Sequence, residues 1–284
     1  MSTSLRAAFG PTALFVLLWS SGALFAKWGL AHASAFVFLS LRFALALAVL
    51  ALWAAMRGRP LLPRRGTRWR VAATGFVLTG CYSVAYLLAL DHGVTPGVLA
   101  TVLGVQPILT LVATERPLPT RRLAGLAVAL AGLALVVGDS ILRARFSVTG
   151  IALALAALAC MTAGTLMQKK LDQPPADVLP LQYAATLALC LALLPLQPAR
   201  VAWTAGLAAS LVSMGVVISV VATLLLYRLI RERNLVNVTS LFYLVPAGTA
   251  LLDWLLLGNA LAPAALAGMA AIVAGLLLVF RAPR

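Results

Sequence analysis

Long apolar stretches and short polar connections alternate along the whole chain. A transmembrane helix needs roughly 20 mostly apolar residues to cross about 30 Å of hydrocarbon. Ten stretches are that long, and they cover about residues 11–30, 35–56, 70–90, 95–115, 120–138, 147–168, 178–196, 204–227, 235–257 and 262–280. None has the alternation of a barrel strand, and backbone polar groups in lipid must find partners inside the same element. The pattern therefore predicts an all-α membrane protein with ten transmembrane helices.

The ten stretches divide near residue 143 into two sets of five with matching patterns. Seven of thirteen positions are identical between residues 125–137 and residues 268–280, and Pro107 matches Pro246. Because five is an odd number, the second set must be inserted in the opposite orientation. We therefore predict two inverted five-helix repeats, at residues 1–142 and 143–284. Inverted repeats are a recurring design of secondary transporters.

Composition and charge agree with a protein in lipid. Hydrophobic residues make up 63% of the chain and charged residues only 10%, which is too apolar for a soluble domain. The net charge of +15 could indicate nucleic acid. However, the basic residues are spread over short loops, and with the amino terminus inside, seventeen lie in inner segments and three in outer ones. This bias predicts two cytoplasmic termini and a basic face against the lipid headgroups, and no nucleic-acid partner.

Arg42 is the polar residue of greatest interest, because it lies about eight residues into the second stretch. Two interpretations of Arg42 stay open. Its guanidinium could receive a substrate carboxylate, or it could form an internal ion pair or carbonyl contact, for example with Asp91. The matching position of the second repeat is Gln182, so the site is asymmetric. Lys27 lies nearer the outer surface, where we expect it to snorkel toward water.

Further polar and aromatic residues lie at membrane depth around two prolines. Pro107 and Pro246 each free a backbone carbonyl near mid-span, so each is a candidate hinge or a purely structural kink. We predict a substrate-binding cavity that is aromatic, polar and nearly uncharged. Its candidate residues are Trp19, Arg42, Tyr82, Tyr86, Gln106, Gln182, Tyr183, Asn237, Ser240 and Tyr243. The alternative for each is ordinary helix packing or a hydrogen bond back to its own helix.

The chain offers little that could carry catalysis. No carboxylate lies at mid-depth, which disfavours a proton relay through a buried acid. Cys81, Cys160 and Cys190 occur singly in separate stretches, without the spacing of a metal site or a disulfide framework. We therefore predict no catalytic residue, no metal and no cofactor. A membrane-embedded lipid enzyme stays a distant alternative, as does a lipid scramblase.

The whole chain resembles the EamA family of the drug/metabolite transporter superfamily. The resemblance rests on ten spans in two halves, Arg42-Phe43 early in span two, a proline midway along spans four and nine, Glu115-Arg116 after span four, and closing helices with Gly-x6-Gly. Within that family the chain is most similar to YddG-type exporters of aromatic and other amino acids. One departure is Asn259, which stands where the family usually has its second glutamate.

The resemblance implies an inner-membrane carrier with a central cavity, which exports its substrate by alternating access. We therefore predict export of small metabolites, amino acids above all, with Trp19, Tyr82, Gln106 and Tyr243 as the main substrate contacts. We also expect a monomer in the lipid bilayer. A broad exporter of drugs or quaternary cations is the alternative, because aromatic rings also attract cations.

Overall fold

The computed structural model describes residues 2–142, 147–257 and 261–281, and Asn259 lies outside these ranges. Helices account for nearly all of the described chain, which contains no β-strand and one isolated antiparallel bridge, between Ala33 and Val201. The helices that we number are α1 (Ser2–His32), α2 (Ala35–Met56), α3 (Arg68–Asp91), α4 (Pro96–Thr114), α5 (Thr120–Val136), α6 (Val148–Lys169), α7 (Pro175–Leu193), α8 (Ala205–Glu232), α9 (Leu235–Leu252) and α10 (Pro263–Phe280).

Nine of these helices are long and apolar enough to cross a membrane, within the ranges that the structure describes. The remaining helix is α5, which has 17 residues. At 1.5 Å per residue it spans roughly 26 Å, at the short end of the lengths that cross a bilayer. The protein is therefore a multi-pass, all-helical membrane protein, while the tenth crossing stays a prediction.

Four of the helices are irregular, and they form two corresponding pairs. In α3 and α8, π-helical turns cover Phe76–Cys81 and Val212–Ala222. The helical course of α4 is interrupted just before Gln106 and Pro107, and α9 contains a 3₁₀ turn at Leu241–Tyr243 just before Pro246. Both predicted proline kinks therefore coincide with real breaks in a helix.

The chain forms two compact units, and each takes segments from both halves of the sequence. Unit 1 contains Met1–Ser21, Ala89–Leu158 and Arg233–Arg284, and unit 2 contains Gly22–Leu88 and Ala159–Glu232. The units therefore differ from the predicted sequence repeats, 1–142 and 143–284. Helices α4, α5, α9 and α10 belong to unit 1, whereas α2, α7, α8 and α3 as far as Leu88 belong to unit 2.

In unit 1, α5 and α10 pack closely along a seam of glycines. A methyl group added to Gly132 would lie 2.6 Å from the carbonyl oxygen of Gly268, and one added to Gly125 would lie 2.7 Å from that of Gly275. Residue numbers rise along one helix as they fall along the other, so α5 and α10 run antiparallel. Small residues let helix backbones approach this closely. The glycine seam lies beside the apolar core of unit 1, which includes Leu133 and Ile272.

In unit 2, the helix contacts are reciprocal between corresponding positions of the two halves. Gly75 of α3 packs on the backbone of Gln182 in α7. The residues 140 positions away from these two also meet, since a methyl group added to Gly215 of α8 would lie 3.2 Å from the carbonyl oxygen of Arg42 in α2. Phe43 and Tyr183, which share the same offset, contact each other with ring centroids 5.2 Å apart.

A polar cluster joins four helix ends of unit 1 around the buried side chain of Arg122, at the start of α5. Its guanidinium forms an ion pair with Glu115, which follows α4. It also donates to Asn237 Oδ1 at 2.9 Å, near the start of α9, and to the carbonyl oxygen of Val279 at 3.3 Å, near the end of α10. Asn234 donates to the same carboxylate at 3.1 Å. We call these residues the Arg122 cluster.

The glycine seam predicts a loss of stability when a methyl group is added. Replacing Gly132 by Ala should lower the free energy of unfolding by about 1–3 kcal/mol, because overpacking forces the backbones apart. Alanine is otherwise the better helix former by about 1 kcal/mol, so any loss must come from the contact. The control is Gly138→Ala, where nothing lies within 4 Å of the added methyl group. The melting temperature in detergent measures both, and an unchanged value for Gly132→Ala would contradict the seam.

The Arg122 cluster predicts a second difference in stability. Glu115→Gln removes the carboxylate and leaves the Arg122 charge buried, with 8% of its side chain exposed. The loss should be about 3 kcal/mol, the lower end for a broken buried ion pair. Glu232→Gln is the matched control, because its pair with Arg228 is exposed, and such pairs contribute about 0–1 kcal/mol. Equal thermal stability of the two variants would show that the cluster contributes nothing.

Candidate functional site

Arg42 lies on α2, seven residues after the first residue of that helix, or roughly 10 Å along the axis. Its Nε donates a hydrogen bond to Ser219 Oγ of α8 at 2.8 Å. Ser219 in turn donates to the carbonyl oxygen of Met214 at 2.7 Å, a backward bond over five residues that the π-helical turn permits. The serine hydroxyl is therefore oriented to accept from the guanidinium. Arg42 as a whole residue is half-buried.

The groups around Arg42 are polar or aromatic. Tyr82, Tyr86, Tyr183 and Cys190 lie close enough to interact with its charge. The rings of Tyr82 and Tyr86 contact each other at 5.7 Å between centroids, and both side chains are half-buried. Tyr183 is buried and donates its hydroxyl to the carbonyl oxygen of Ser219. We call Arg42, Tyr82, Tyr86, Tyr183 and Ser219 the Arg42 site.

Within the described part of unit 2, no ion pair involves Arg42. The ion pairs of that unit join Arg59 to Asp177 and Arg228 to Glu232. The ion pair with Asp91, which belongs to unit 1, stays a prediction. Charged side chains at membrane depth are usually paired or face a water-filled cavity. The groups beside Arg42 are uncharged side chains, and its Nε–H donates to the hydroxyl of Ser219.

Gln182, the corresponding residue of the second half, is buried and has a different hydrogen-bond partner. Its side chain is fully buried and donates to Gln168 Oε1 of α6 at 2.8 Å. Gly164 of α6 packs closely on the backbone of Leu78 in α3. Arg42 bonds instead to Ser219 of α8. The predicted asymmetry therefore has a structural basis in unit 2.

Unit 1 holds the predicted tryptophan in an aromatic cluster. The Trp19 ring lies 5.2 Å from that of Phe15 and 5.5 Å from that of Phe242, measured between centroids. Phe15 is completely buried, whereas Trp19 is half-buried. Ser20, the next residue, bonds back to Val16 at 2.7 Å, as expected for a serine in a membrane helix.

The ten predicted substrate-binding residues divide sharply by accessibility. Those with accessible surface are Trp19, Arg42, Tyr82, Tyr86 and Asn237, and those that are almost or completely buried are Gln106, Gln182, Tyr183, Ser240 and Tyr243. Tyr243 belongs to the apolar core of unit 1, with Leu133 and Ile272. A solute cannot reach the buried five in this conformation.

Two other polar residues lie away from the Arg42 site. Asn237 is bound to Arg122, so its side-chain oxygen serves the Arg122 cluster. Lys27 is exposed, as expected for a lysine that snorkels toward water.

The sequence prediction missed Ser219 and the Arg122 cluster. Ser219 lies 140 residues after Thr79, so two hydroxyl residues at corresponding positions were the available signal. Cys81 and Cys160, predicted to be isolated, contact each other in unit 2. No group of three His, Cys, Asp or Glu side chains that could hold a metal ion occurs in the described part of the chain.

Comparisons with known proteins identify the family to which this chain belongs. The profile of the EamA-like transporter family matches residues 12–138 and again residues 148–281. A solved crystal structure with 22% sequence identity matches over 96% of each chain with a TM-score of 0.82, which shows a shared fold. None of the curated proteins matches. Because the two family matches cover nearly the whole chain, the protein belongs to the EamA-like transporter family and is a membrane transporter of the drug/metabolite type.

Proposed function

We propose that this protein is an inner-membrane secondary transporter that exports small metabolites bearing a carboxylate, with amino acids, aromatic ones included, as the predicted class. The observation that carries the proposal is Arg42, a half-buried arginine at membrane depth that donates a hydrogen bond to the hydroxyl of Ser219. Guanidinium and carboxylate groups match in geometry and charge. The rings of Tyr82 and Tyr86 supply an apolar surface for the rest of the solute.

Alternating access in this proposal rests on the two repeats, 1–142 and 143–284, being inverted. A two-fold relation requires that if one residue contacts a second, their counterparts contact each other in exchange. Gly125 with Gly275 and Gly132 with Gly268 meet this requirement in unit 1. The pairs of Gly75 with Gln182 and of Gly215 with Arg42 meet it in unit 2. These contacts, with the basic inner loops, support inverted repeats and cytoplasmic termini.

A broad exporter of cationic drugs is the second candidate, because Tyr82 and Tyr86 offer aromatic faces. The charge of Arg42 argues against it, since a cation beside these rings would be repelled. Inhibition of amino acid flux by a cationic dye, with no effect of an aromatic carboxylate, would favour this second candidate.

Arg42 can be tested in proteoliposomes loaded with a labelled aromatic amino acid. Arg42→Gln should weaken apparent affinity by about 10–100-fold, because hydrogen bonds to a charged group contribute about 1.5–3 kcal/mol. Arg42→Lys should restore part of the affinity, since it keeps the charge and loses the planar fork. Arg228→Gln, which changes an exposed arginine, is the matched control and should transport normally. If vesicles containing the unaltered protein show the same flux as vesicles without protein, the proposal is refuted.

The positions of the acidic residues predict the energy source. No carboxylate lies at mid-depth in the sequence, so no buried acid is available to carry a proton. Transport should therefore run down a substrate gradient in vesicles with equal pH on both sides. Collapse of an imposed pH gradient by an ionophore should leave the initial rate unchanged. A strict requirement for the pH gradient would refute this part of the proposal.

A further inference from the structure

We infer that the Arg42 site prefers solutes with a net negative charge, namely aromatic or apolar monocarboxylates without an ammonium group, over zwitterionic amino acids. The inference rests on the proposed function, because it concerns the same site. It starts from the charge balance around Arg42 in unit 2. A zwitterion brings an ammonium group with its carboxylate, and each group needs its own partner inside the protein.

The acidic residues of unit 2 are few and lie away from Arg42. The sequence of this unit contains Asp172, Asp177 and Glu232. Asp172 lies in the turn between α6 and α7 and is exposed. Asp177 Oδ1 lies 3.6 Å from Arg59 Nη1, and Glu232 Oε1 lies 2.9 Å from Arg228 Nε. Each of these two carboxylates is therefore already paired with an arginine. None of the three lies next to the guanidinium.

Distance along α7 also separates Asp177 from the site. Tyr183 lies near Arg42, and Asp177 precedes it by six residues, which is roughly 9 Å along the helix axis. A carboxylate held by Arg42 would therefore leave the α-ammonium of an amino acid without an anionic partner in this unit. That ammonium would also lie beside a guanidinium of the same charge.

The neutral partners of Arg42 are suited to an anion. Ser219 orients the guanidinium through Nε, so the two terminal nitrogens remain to hold both oxygens of a carboxylate. The Tyr183 hydroxyl is occupied by the carbonyl oxygen of Ser219. Tyr82 and Tyr86 then present a pair of tilted rings on which an aromatic tail can pack. An arylalkyl carboxylate meets all of these groups and leaves no charge unpaired.

The charge preference of the site can be measured with three ligands that each contain a phenyl ring and differ in their charged groups. They are 3-phenylpropionate with a carboxylate alone, phenylalanine with both charges, and phenethylamine with an ammonium alone. Binding is measured near neutral pH by the ligand-induced shift of melting temperature in detergent. Competition for labelled phenylalanine flux in proteoliposomes gives a second measurement. We expect 3-phenylpropionate to bind about tenfold more tightly than phenylalanine, and phenethylamine to bind most weakly.

Variants then assign the preference to Arg42. Arg42→Gln should bring the ratio of the affinities for 3-phenylpropionate and phenylalanine to near one. Arg228→Gln should leave this affinity ratio unchanged. Tighter binding of phenylalanine than of 3-phenylpropionate, or a ratio that survives Arg42→Gln, would overturn the inference while leaving the proposed transport of amino acids standing. If none of the three ligands binds or crosses the membrane, the proposed function fails together with the inference.

Discussion

The cost of a polar group in hydrocarbon is the constraint on which this structure depends. Without water in the bilayer core, each buried donor and acceptor must find a partner in the protein. Hydroxyl groups such as those of Thr110 and Ser240 therefore bond back to their own helices. Arg122 meets the same requirement with an ion pair, an amide and a backbone carbonyl. Arg42 differs from Arg122 because its guanidinium donates to an uncharged hydroxyl, that of Ser219.

Glycines then determine where the helices can meet. The contact of α5 with α10 brings the backbones at Gly132 and Gly268 so close that a methyl group does not fit. The same residue type mediates the contacts of Gly75, Gly164 and Gly215 in unit 2. Because these positions recur at nearly constant offsets, one set of close contacts serves both halves of the sequence. The chain can therefore build two compact units from segments that alternate between the halves.

The sequence predicted the helices well because hydrophobicity and length dominate in lipid. The positions of Pro107 and Pro246 also predicted the breaks in α4 and α9. The grouping into two units was not predictable in the same way, since it depends on which helix faces meet and not on the order of the helices. For the same reason the side chain of Tyr243, polar and at membrane depth, turned out to be part of an apolar core. Its sequence position gives its depth but not the direction in which it points.

The two halves share a backbone plan but differ in chemistry at one point. Arg42 and Gln182 occupy corresponding positions, and each receives a glycine of a neighbouring helix on its backbone. Gln182 is neutral, and its side chain forms a hydrogen bond with Gln168 that links α7 to α6. Arg42 is charged and half-buried, and its hydrogen bond goes to Ser219 of α8 instead. A repeated fold can thus keep its packing in both halves while one half keeps a charge available for a solute, because the packing uses the backbone and recognition uses the side chain.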